Sequence, residues 1–222
     1  MKKVLFVAPH ADDETLGCGG TILKLAEEGY QIHWLLVTGM TKDGGFTQSQ
    51  IEVRNLEIEH VAKIYGFNGV HELSFIPAEL DIVAKSELIG AISSVISKIK
   101  PDHVYTAFRN DAHSDHAVVF DAVMSSTKVF RHPYVKRILA YETLSETDFS
   151  LRPDQSIFKP NVFVNIEGYL EEKIAAMKIF KSEMGEFPFP RSSKAIKALS
   201  SVRGVQAGCC SAEAFMLLKE ID

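Results

Sequence analysis

Two short segments, about a hundred residues apart, carry the side chains that could do chemistry. The first places His10 and then three carboxylates, residues 12–14, directly after the apolar run 4–8. The second, residues 109–116, contains two histidines and follows the apolar run 103–108. Three adjacent acids repel one another unless a positive group lies among them, and a divalent metal ion is the usual one. The pattern therefore indicates a metal centre.

The spacing within each segment favours one shared centre. His10 and Asp13 are three residues apart, and so are His113 and His116. In a helix or a tight turn this spacing puts two side chains on one face, so each segment can offer two groups. Two histidines and one carboxylate with open positions form the ligand set of catalytic zinc sites. The residues thus predict metal-dependent hydrolysis.

Other interpretations stay open on the residues alone. His10 and Asp12 with a distant histidine also fit the facial triad of Fe(II) oxygenases, although Asp13 and His113 would then have no role. A receiver-like, Mg²⁺-binding signalling domain also has paired acids after its first strand. It would need an aspartate after a middle strand, and the run 70–76 ends without one. Histidines also suit Mg²⁺ poorly.

A simpler interpretation is that the acids only cap a helix. Asp and Glu are favoured in the first turn of a helix, and we take Glu14 as mainly structural for that reason. The small residues 17–20 do not have GxGxxG spacing, so they do not predict a dinucleotide site. They favour instead the close approach of a helix to the sheet.

Apolar runs alternate with helical periodicity along the chain, which predicts an α/β protein with a mainly parallel sheet flanked by helices. The carboxyl ends of parallel strands then share one edge, so His10 and His116 can meet there. We expect one domain over residues 1–222. The predicted strands are 4–8, 32–38, 70–76, 103–108, 137–141 and 161–166, and the predicted helices are 15–28, 49–65, 81–99, 115–130, 167–183 and 192–206.

Composition and charge exclude some classes of partner and predict a cellular location. The net charge of −5 disfavours nucleic acid and anionic membranes. No segment approaches the roughly 18 apolar residues that span a bilayer. The three cysteines lack metal-ligand or CxxC spacing, which indicates reduced thiols and a cytoplasmic location. The sequence leaves the oligomeric state open, with a homo-oligomer among the possibilities.

The motifs at residues 9–14 and 113–116 make the chain resemble the PIG-L/LmbE-type zinc-dependent N-deacetylases. The family's motifs usually read Pro-His-Pro-Asp-Asp-Glu and His-Pro-Asp-His, and here Ala11 and Ser114 stand where proline is common. The resemblance extends to the rest of the chain, at residues 54–57, Gly66 and 203–215, with Ser211 where an aromatic residue is frequent. It implies the Rossmann-like, three-layer fold of the family.

The resemblance also implies roles for the motif residues. His10, Asp13 and His116 would bind zinc, with Fe(II) or another divalent metal as alternatives. Asp12 would act as general base, and His113 would stabilise the transition state at the oxyanion or the leaving amine. Asp115 is the candidate to orient His113. The implied substrate is a small N-acetylated amino sugar or a glycoconjugate of one.

Substrate contacts are predicted at further positions. Arg54 is either a substrate-binding residue or an i,i+3 ion-pair partner of Glu57. Arg109 lies in the second polar turn and is a candidate for substrate binding. The polar loop 142–160 and the proline-rich turn 187–190 are expected to form the pocket rim and set substrate choice.

Overall fold

The computed structural model describes residues 2–151 and 155–222. Within them, seven strands form one sheet. The strands are β1 (Lys3–Ala8), β2 (Gln31–Thr38), β3 (Gly69–Phe75), β4 (His103–Ala107), β5 (Arg137–Tyr141), β6 (Val162–Asn165) and β7 (Ala212–Glu220). Their spatial order is β3-β2-β1-β4-β5-β7-β6. The first five pair in parallel, and β7 is antiparallel to both β5 and β6.

The helices alternate with the first strands, as the periodicity predicts. They are α1 (Asp13–Glu27), α2 (Gln48–Tyr65), α3 (Lys85–Ile99), α4 (Ser114–Ser126), α5 (Leu170–Met177) and α6 (Ser193–Ala207), with a 3₁₀ turn at Leu80–Ile82. The α/β class with a mainly parallel sheet is confirmed. In the part of the chain that the structure describes, no helix is both long and apolar enough to cross a bilayer.

Both faces of the sheet are buried, which explains the continuous apolar run of β1. Val4, Phe6 and Ala8 pack into the hydrophobic cluster on one face. Leu5 and Val7 pack into the cluster on the other face. Successive side chains of a strand point to opposite faces, so a central parallel strand must be apolar at every position. The polar residues that follow β1 begin where the chain leaves the interior between the two helical layers.

Small residues let α1 approach the sheet closely, as predicted. A Cβ atom on Gly17 would lie 2.3 Å from Tyr141 Cδ2, and one on Gly20 would lie 2.6 Å from Ile166 Cγ2. Both distances are far inside van der Waals contact. Residues 17–20 therefore serve the packing of α1, whose first residue is Asp13.

Two elements differ from the sequence prediction. The strand β7 was not predicted, because Ala, Glu, Met, Leu and Lys dominate it and these are helix-favouring residues. The predicted helix 167–183 is wrong in extent, since α5 ends at Met177 and the chain continues in turns to Glu183. Hydrogen bonds from Arg54 to Ser182 and Glu183 bind these turns to α2. Tertiary contacts thus override the local helical pattern.

Helix ends also differ from the prediction. The 115–130 helix ends at Ser126, and the 81–99 helix begins at Lys85 after the 3₁₀ turn. The end of α2 agrees with the predicted helix 49–65, because Gly66 follows it with a left-handed φ of 65°, the conformation that favours glycine at a helix C-terminus.

Candidate active site

The two motif segments meet at the carboxyl ends of β1 and β4. These strands are parallel neighbours, with Val7 beside Thr106, so the turns that follow them emerge together. His10 lies in the turn after β1, and Asp13 begins α1. His116 lies in the first turn of α4 and is fully buried. The expectation that parallel crossovers bring these three residues together is correct.

The three side chains form a compact cluster of metal-ligating atoms. Asp13 Oδ2 lies 3.2 Å from His10 Nδ1 and 3.3 Å from His116 Nε2. In a tetrahedral zinc site with bonds of about 2.0–2.1 Å, ligand atoms are about 3.3 Å apart. The spacing of these donors therefore fits a divalent metal ion. Asp13 is oriented by accepting a 2.9 Å hydrogen bond from the His10 backbone N–H.

His116 has the environment of a metal-binding histidine. Its Nδ1 hydrogen-bonds Asp111 Oδ2 at 2.7 Å, while its buried Nε2 has no hydrogen-bond partner among the described residues. A carboxylate behind a histidine fixes the tautomer and the ring orientation of a ligand. An orphaned buried ring nitrogen is costly unless something binds it. The donor set thus fits a metal ion.

Asp111 is a site residue that the sequence analysis missed. It is buried and accepts a 2.6 Å hydrogen bond from Thr147 Oγ1 in the loop after β5. Burial raises the pKa of its carboxyl, against the hydrogen bond and the charge of His116. The signal in the sequence was an acid close before the histidine pair, where a carboxylate can support a ligand.

His10 lies between two carboxylates. Its Nε2 is 3.0 Å from Asp115 Oδ2, on the opposite side of the ring from Asp13. Burial lowers the pKa of His10, but the hydrogen bonds with Asp115 and Asp13 outweigh this and raise the pKa to about 9. His10, His113 and Asp115 form a second, overlapping group of metal-ligating atoms.

Asp115 does not have the partner that the sequence predicted. Its carboxylate is 3.9 Å from His113 Nδ1 but 3.0 Å from His10 Nε2. It also accepts backbone hydrogen bonds from Ala78 and Leu80, which tie it to the segment after β3. Asp115 therefore orients His10 rather than His113, because its carboxylate lies closer to the His10 ring.

His113 faces the pocket in a defined tautomer. Its Nδ1 accepts the backbone N–H of Asp115 at 3.2 Å, so the neutral ring carries its proton on Nε2. Burial lowers the pKa of His113, and the neighbouring His10 and His116 lower it further. A neutral imidazole with an Nε2–H is a hydrogen-bond donor. The same contact caps α4, so His113 also has a structural role.

Asp12 is buried beside the cluster but outside it. Its Oδ2 accepts a 3.1 Å hydrogen bond from Arg191 Nη1. Burial and the charges of Asp13 and Glu183 raise the pKa of Asp12 to about 7, against the opposing charges of Arg191 and His10. A carboxylate with a pKa near neutrality suits a general base.

The two predicted substrate-binding arginines have different surroundings. Arg54 lines the pocket, yet its Nε is 3.2 Å from Glu57 and its Nη2 is 2.6 Å from Glu183. The ion-pair interpretation is therefore correct for Arg54, and contact with substrate stays a prediction. Arg109 is half exposed, pairs with Asp121 of α4 at 2.7 Å and is absent from the described pocket wall. The geometry gives Arg109 no support as a substrate contact.

A pocket of about 270 Å³ opens above these groups. Its polar wall includes three residues that the sequence analysis did not select, Glu146, Glu183 and Arg191. Of the predicted rim, the loop 142–160 contributes Glu146, while residues 152–154 lie outside the described range. None of residues 187–190 is in the described lining, and the nearest lining residue is Arg191, which directly follows that turn. The described lining is His10, Ala11, Asp12, Asp13, Thr38, Gly39, Met40, Phe46, Arg54, Ile58, Pro77, His113, Glu146, Glu183 and Arg191.

The geometry defines an α/β protein with a candidate metal centre beside a buried carboxylate. Comparison with known proteins agrees with this class. Residues 5–127 match the family described as PIG-L, GlcNAc-PI de-N-acetylase. A diacetylchitobiose deacetylase of Thermococcus kodakarensis is 30% identical over 193 residues, covering 84% of this chain and 72% of that protein. The chain belongs to the PIG-L family of deacetylases.

Solved structures agree in fold. N,N'-diacetylchitobiose deacetylase from Pyrococcus horikoshii has a TM-score of 0.77 at 22% identity, covering 98% of this chain and 84% of that chain. The 4-carboxy-2-hydroxymuconate hydratase of a Pseudomonas putida strain has a TM-score of 0.75 at 20% identity, covering 100% and 98%. The same fold thus occurs in a hydratase, so the fold alone does not indicate the reaction, and the residues of the site must.

Proposed function

We propose that the chain is a zinc-dependent N-deacetylase that removes the acetyl group from an N-acetylated amino sugar or its conjugate. The cluster of His10, Asp13 and His116, in which the buried His116 Nε2 has no hydrogen-bond partner among the described residues, is the observation that carries the proposal. The family match and the diacetylchitobiose deacetylase of Thermococcus as a relative support the reaction class and the sugar substrate.

The residues of the site divide into holding and reacting groups. His10, Asp13 and His116 would hold the metal ion, with Asp111 and Asp115 orienting the two histidines. When bound, a divalent cation supplies Lewis acidity and lowers the pKa of water in the site. Fe(II) or another divalent ion would serve the same purpose with this donor set.

Asp12 and His113 would carry the proton and the developing charge. Asp12 lies next to the ligand Asp13 and takes the proton from the attacking water as general base. The Nε2–H of His113 donates a hydrogen bond to the oxyanion that forms when water adds to the acetyl carbonyl. The Nδ1 contact with the Asp115 backbone favours this donor role over protonation of the leaving amine, because a protonated ring could not accept that bond. Asp12, which then holds the proton taken from water, would give it to the leaving amine as the C–N bond breaks.

The oxygenase alternative is less well supported by the geometry. In the described residues, the donor groups close enough to share an ion contain Asp13 or Asp115, and neither group contains Asp12. A facial triad of His10, Asp12 and a distant histidine would need the Asp12 carboxylate at the cluster, and it is paired with Arg191 instead.

The test combines metal content with deacetylation of N-acetylglucosamine and diacetylchitobiose, read as free amine. We expect His116→Ala to lose both metal and activity. Asp12→Asn should keep the metal and lower kcat by roughly 10²–10⁴-fold. His113→Asn keeps an oxygen to cap α4 and should also keep the metal, with kcat lower by about 10²–10³-fold.

Each outcome bears on a separate assignment. A metal-free Asp12→Asn protein would make Asp12 a ligand and favour the oxygenase-like triad. Near-normal turnover by Asp12→Asn would contradict the assignment of Asp12 as the general base. A fully active His116→Ala enzyme would contradict the metal centre itself.

A further inference from the structure

Arg191 is a charged pocket residue for which the mechanism above has no task. It directly follows the 187–190 turn and precedes α6, and its side chain is 25% exposed. Its Nη1 lies 3.1 Å from Asp12 Oδ2 and 3.3 Å from Glu183 Oε2. The guanidinium thus bridges the candidate base and a second pocket carboxylate.

The Asp12 carboxylate depends on this contact for its orientation. Across residues 2–151 and 155–222, Arg191 is the only side chain that hydrogen-bonds Asp12. The Asp12 residue is 3% exposed, so water cannot freely replace a lost partner. A hydrogen bond to a charged group is stronger and more directional than a neutral one. Removing Arg191 would leave a buried carboxylate free to rotate.

A second arginine fixes the backbone at the same place. Arg54 Nη1 donates a 2.9 Å hydrogen bond to the carbonyl of Ala11, and Arg54 Nη2 lies 2.6 Å from Glu183 Oε1. Glu183 therefore connects the two arginines, one holding the main chain before Asp12 and the other holding its side chain. The turns 178–183 after α5 bring this glutamate to the pocket.

We propose that Arg191 is a positioning residue that holds the Asp12 carboxylate in the orientation from which it takes the proton from water. Glu183 fixes Arg191 in turn by linking it to Arg54. This inference rests on the proposed function, because it assigns a support to the base of that reaction. Arg191 acts through Asp12 and does not touch the reacting atoms.

The decisive test is a double-mutant cycle in the full-length, metal-loaded enzyme. We expect Arg191→Ala to lower kcat by about 10- to 100-fold, the scale of a misplaced catalytic group, with metal content unchanged. The KM should change far less than kcat. In the Asp12→Asn background, Arg191→Ala should lower kcat by less than about threefold, because no carboxylate is left to orient.

Matched variants separate orientation from folding. Arg191→Lys keeps the charge and should recover part of kcat, and added guanidinium ion should partly rescue Arg191→Ala. Arg137→Ala is the control, since Arg137 is similarly exposed (30%) and pairs with Glu220 at the opposite end of the sheet. That variant should have normal kcat. If Arg191→Ala does not fold, Arg191→Lys and Arg191→Gln complete the cycle.

Several results would overturn the inference. Equal losses from Arg191→Ala in the wild-type and Asp12→Asn backgrounds would make Arg191 a structural residue. A raised KM with normal kcat would make it a substrate contact instead. An active wild-type enzyme with additive losses contradicts only this inference, whereas a wild-type protein that hydrolyses no N-acetyl sugar contradicts it together with the proposed function.

Discussion

Two segments around the pocket look alike in sequence but differ in the structure. Both the loop after β5 and the 187–190 turn are predicted rim elements, because each is an irregular stretch punctuated by proline. In the loop, Thr147 hydrogen-bonds Asp111, and the backbone carbonyl of Glu146 accepts the Ala112 N–H at 3.0 Å. The turn instead presents Phe187, which is 56% exposed.

A loop that contributes to the pocket can therefore also support the candidate metal centre. We call residues 143–148 the support segment and residues 187–190 the rim turn. The support segment packs under the second motif and reaches His116 through the chain Thr147, Asp111, His116. The rim turn has no such connection to the ligands in the described residues. The prediction that the whole 142–160 loop only selects substrate therefore needs this correction for its first part.

The largest expected effect is at Asp111, the link between the support segment and the ligand. Asp111→Asn should weaken metal affinity by about 10- to 100-fold, because a carboxylate behind a histidine increases its basicity as a ligand. The measurement is a competition titration with a chelator of known affinity. Asp148→Asn is the control, since Asp148 lies in the same loop but hydrogen-bonds only the Ser145 N–H among the described residues. If both variants bound metal as tightly as the wild type, the support segment would have no role in metal binding.

A smaller effect is expected one step further from the metal. Thr147→Val removes the hydroxyl that donates to Asp111 Oδ1 and accepts the Thr143 N–H at 2.8 Å. We expect metal affinity to fall by about fivefold. A hydrogen bond to a carboxylate is worth about 1.5–3 kcal/mol, and only part of that would reach the metal through Asp111 and His116. Thr147→Ser keeps the hydroxyl and should match the wild type. A valine variant with a larger loss than Asp111→Asn would show that Thr147 acts by another route.

The sequence was sufficient to predict the site residues that directly follow the strands β1 and β4. His10 and Asp13 are close because they follow one strand, and β4 repeats the same layout, so their meeting required only the parallel topology. The α/β class followed from the alternation of apolar runs and helical periods. The single domain, the cytoplasmic location and the residue roles stay predictions.

The missed residues come from distant segments without a periodic signal. Arg191 meets Asp12 across 179 positions of the chain, and Glu183 meets Arg54 across 129. Such contacts depend on how the turns after α5 fold back over the sheet, which no local pattern encodes. The strand β7 was missed for a related reason, since its pairing with β5 and β6 outweighs its helix-favouring composition.

The smallest expected effect is at the rim turn, and it should be confined to substrate choice. Phe187 packs against Lys194, with Nζ 4.2 Å from the ring centroid, and is not among the residues of the described pocket lining. Phe187→Ala should leave metal affinity unchanged. It should lower kcat/KM for diacetylchitobiose by about twofold to threefold relative to N-acetylglucosamine, because an exposed aromatic ring can stack on the second sugar. Phe187→Tyr keeps the ring and serves as the control. A loss of metal from Phe187→Ala would contradict the claim that the support segment contributes to metal binding and the rim turn does not. An equal fall in kcat/KM for both sugars would contradict a role of the rim turn in substrate choice.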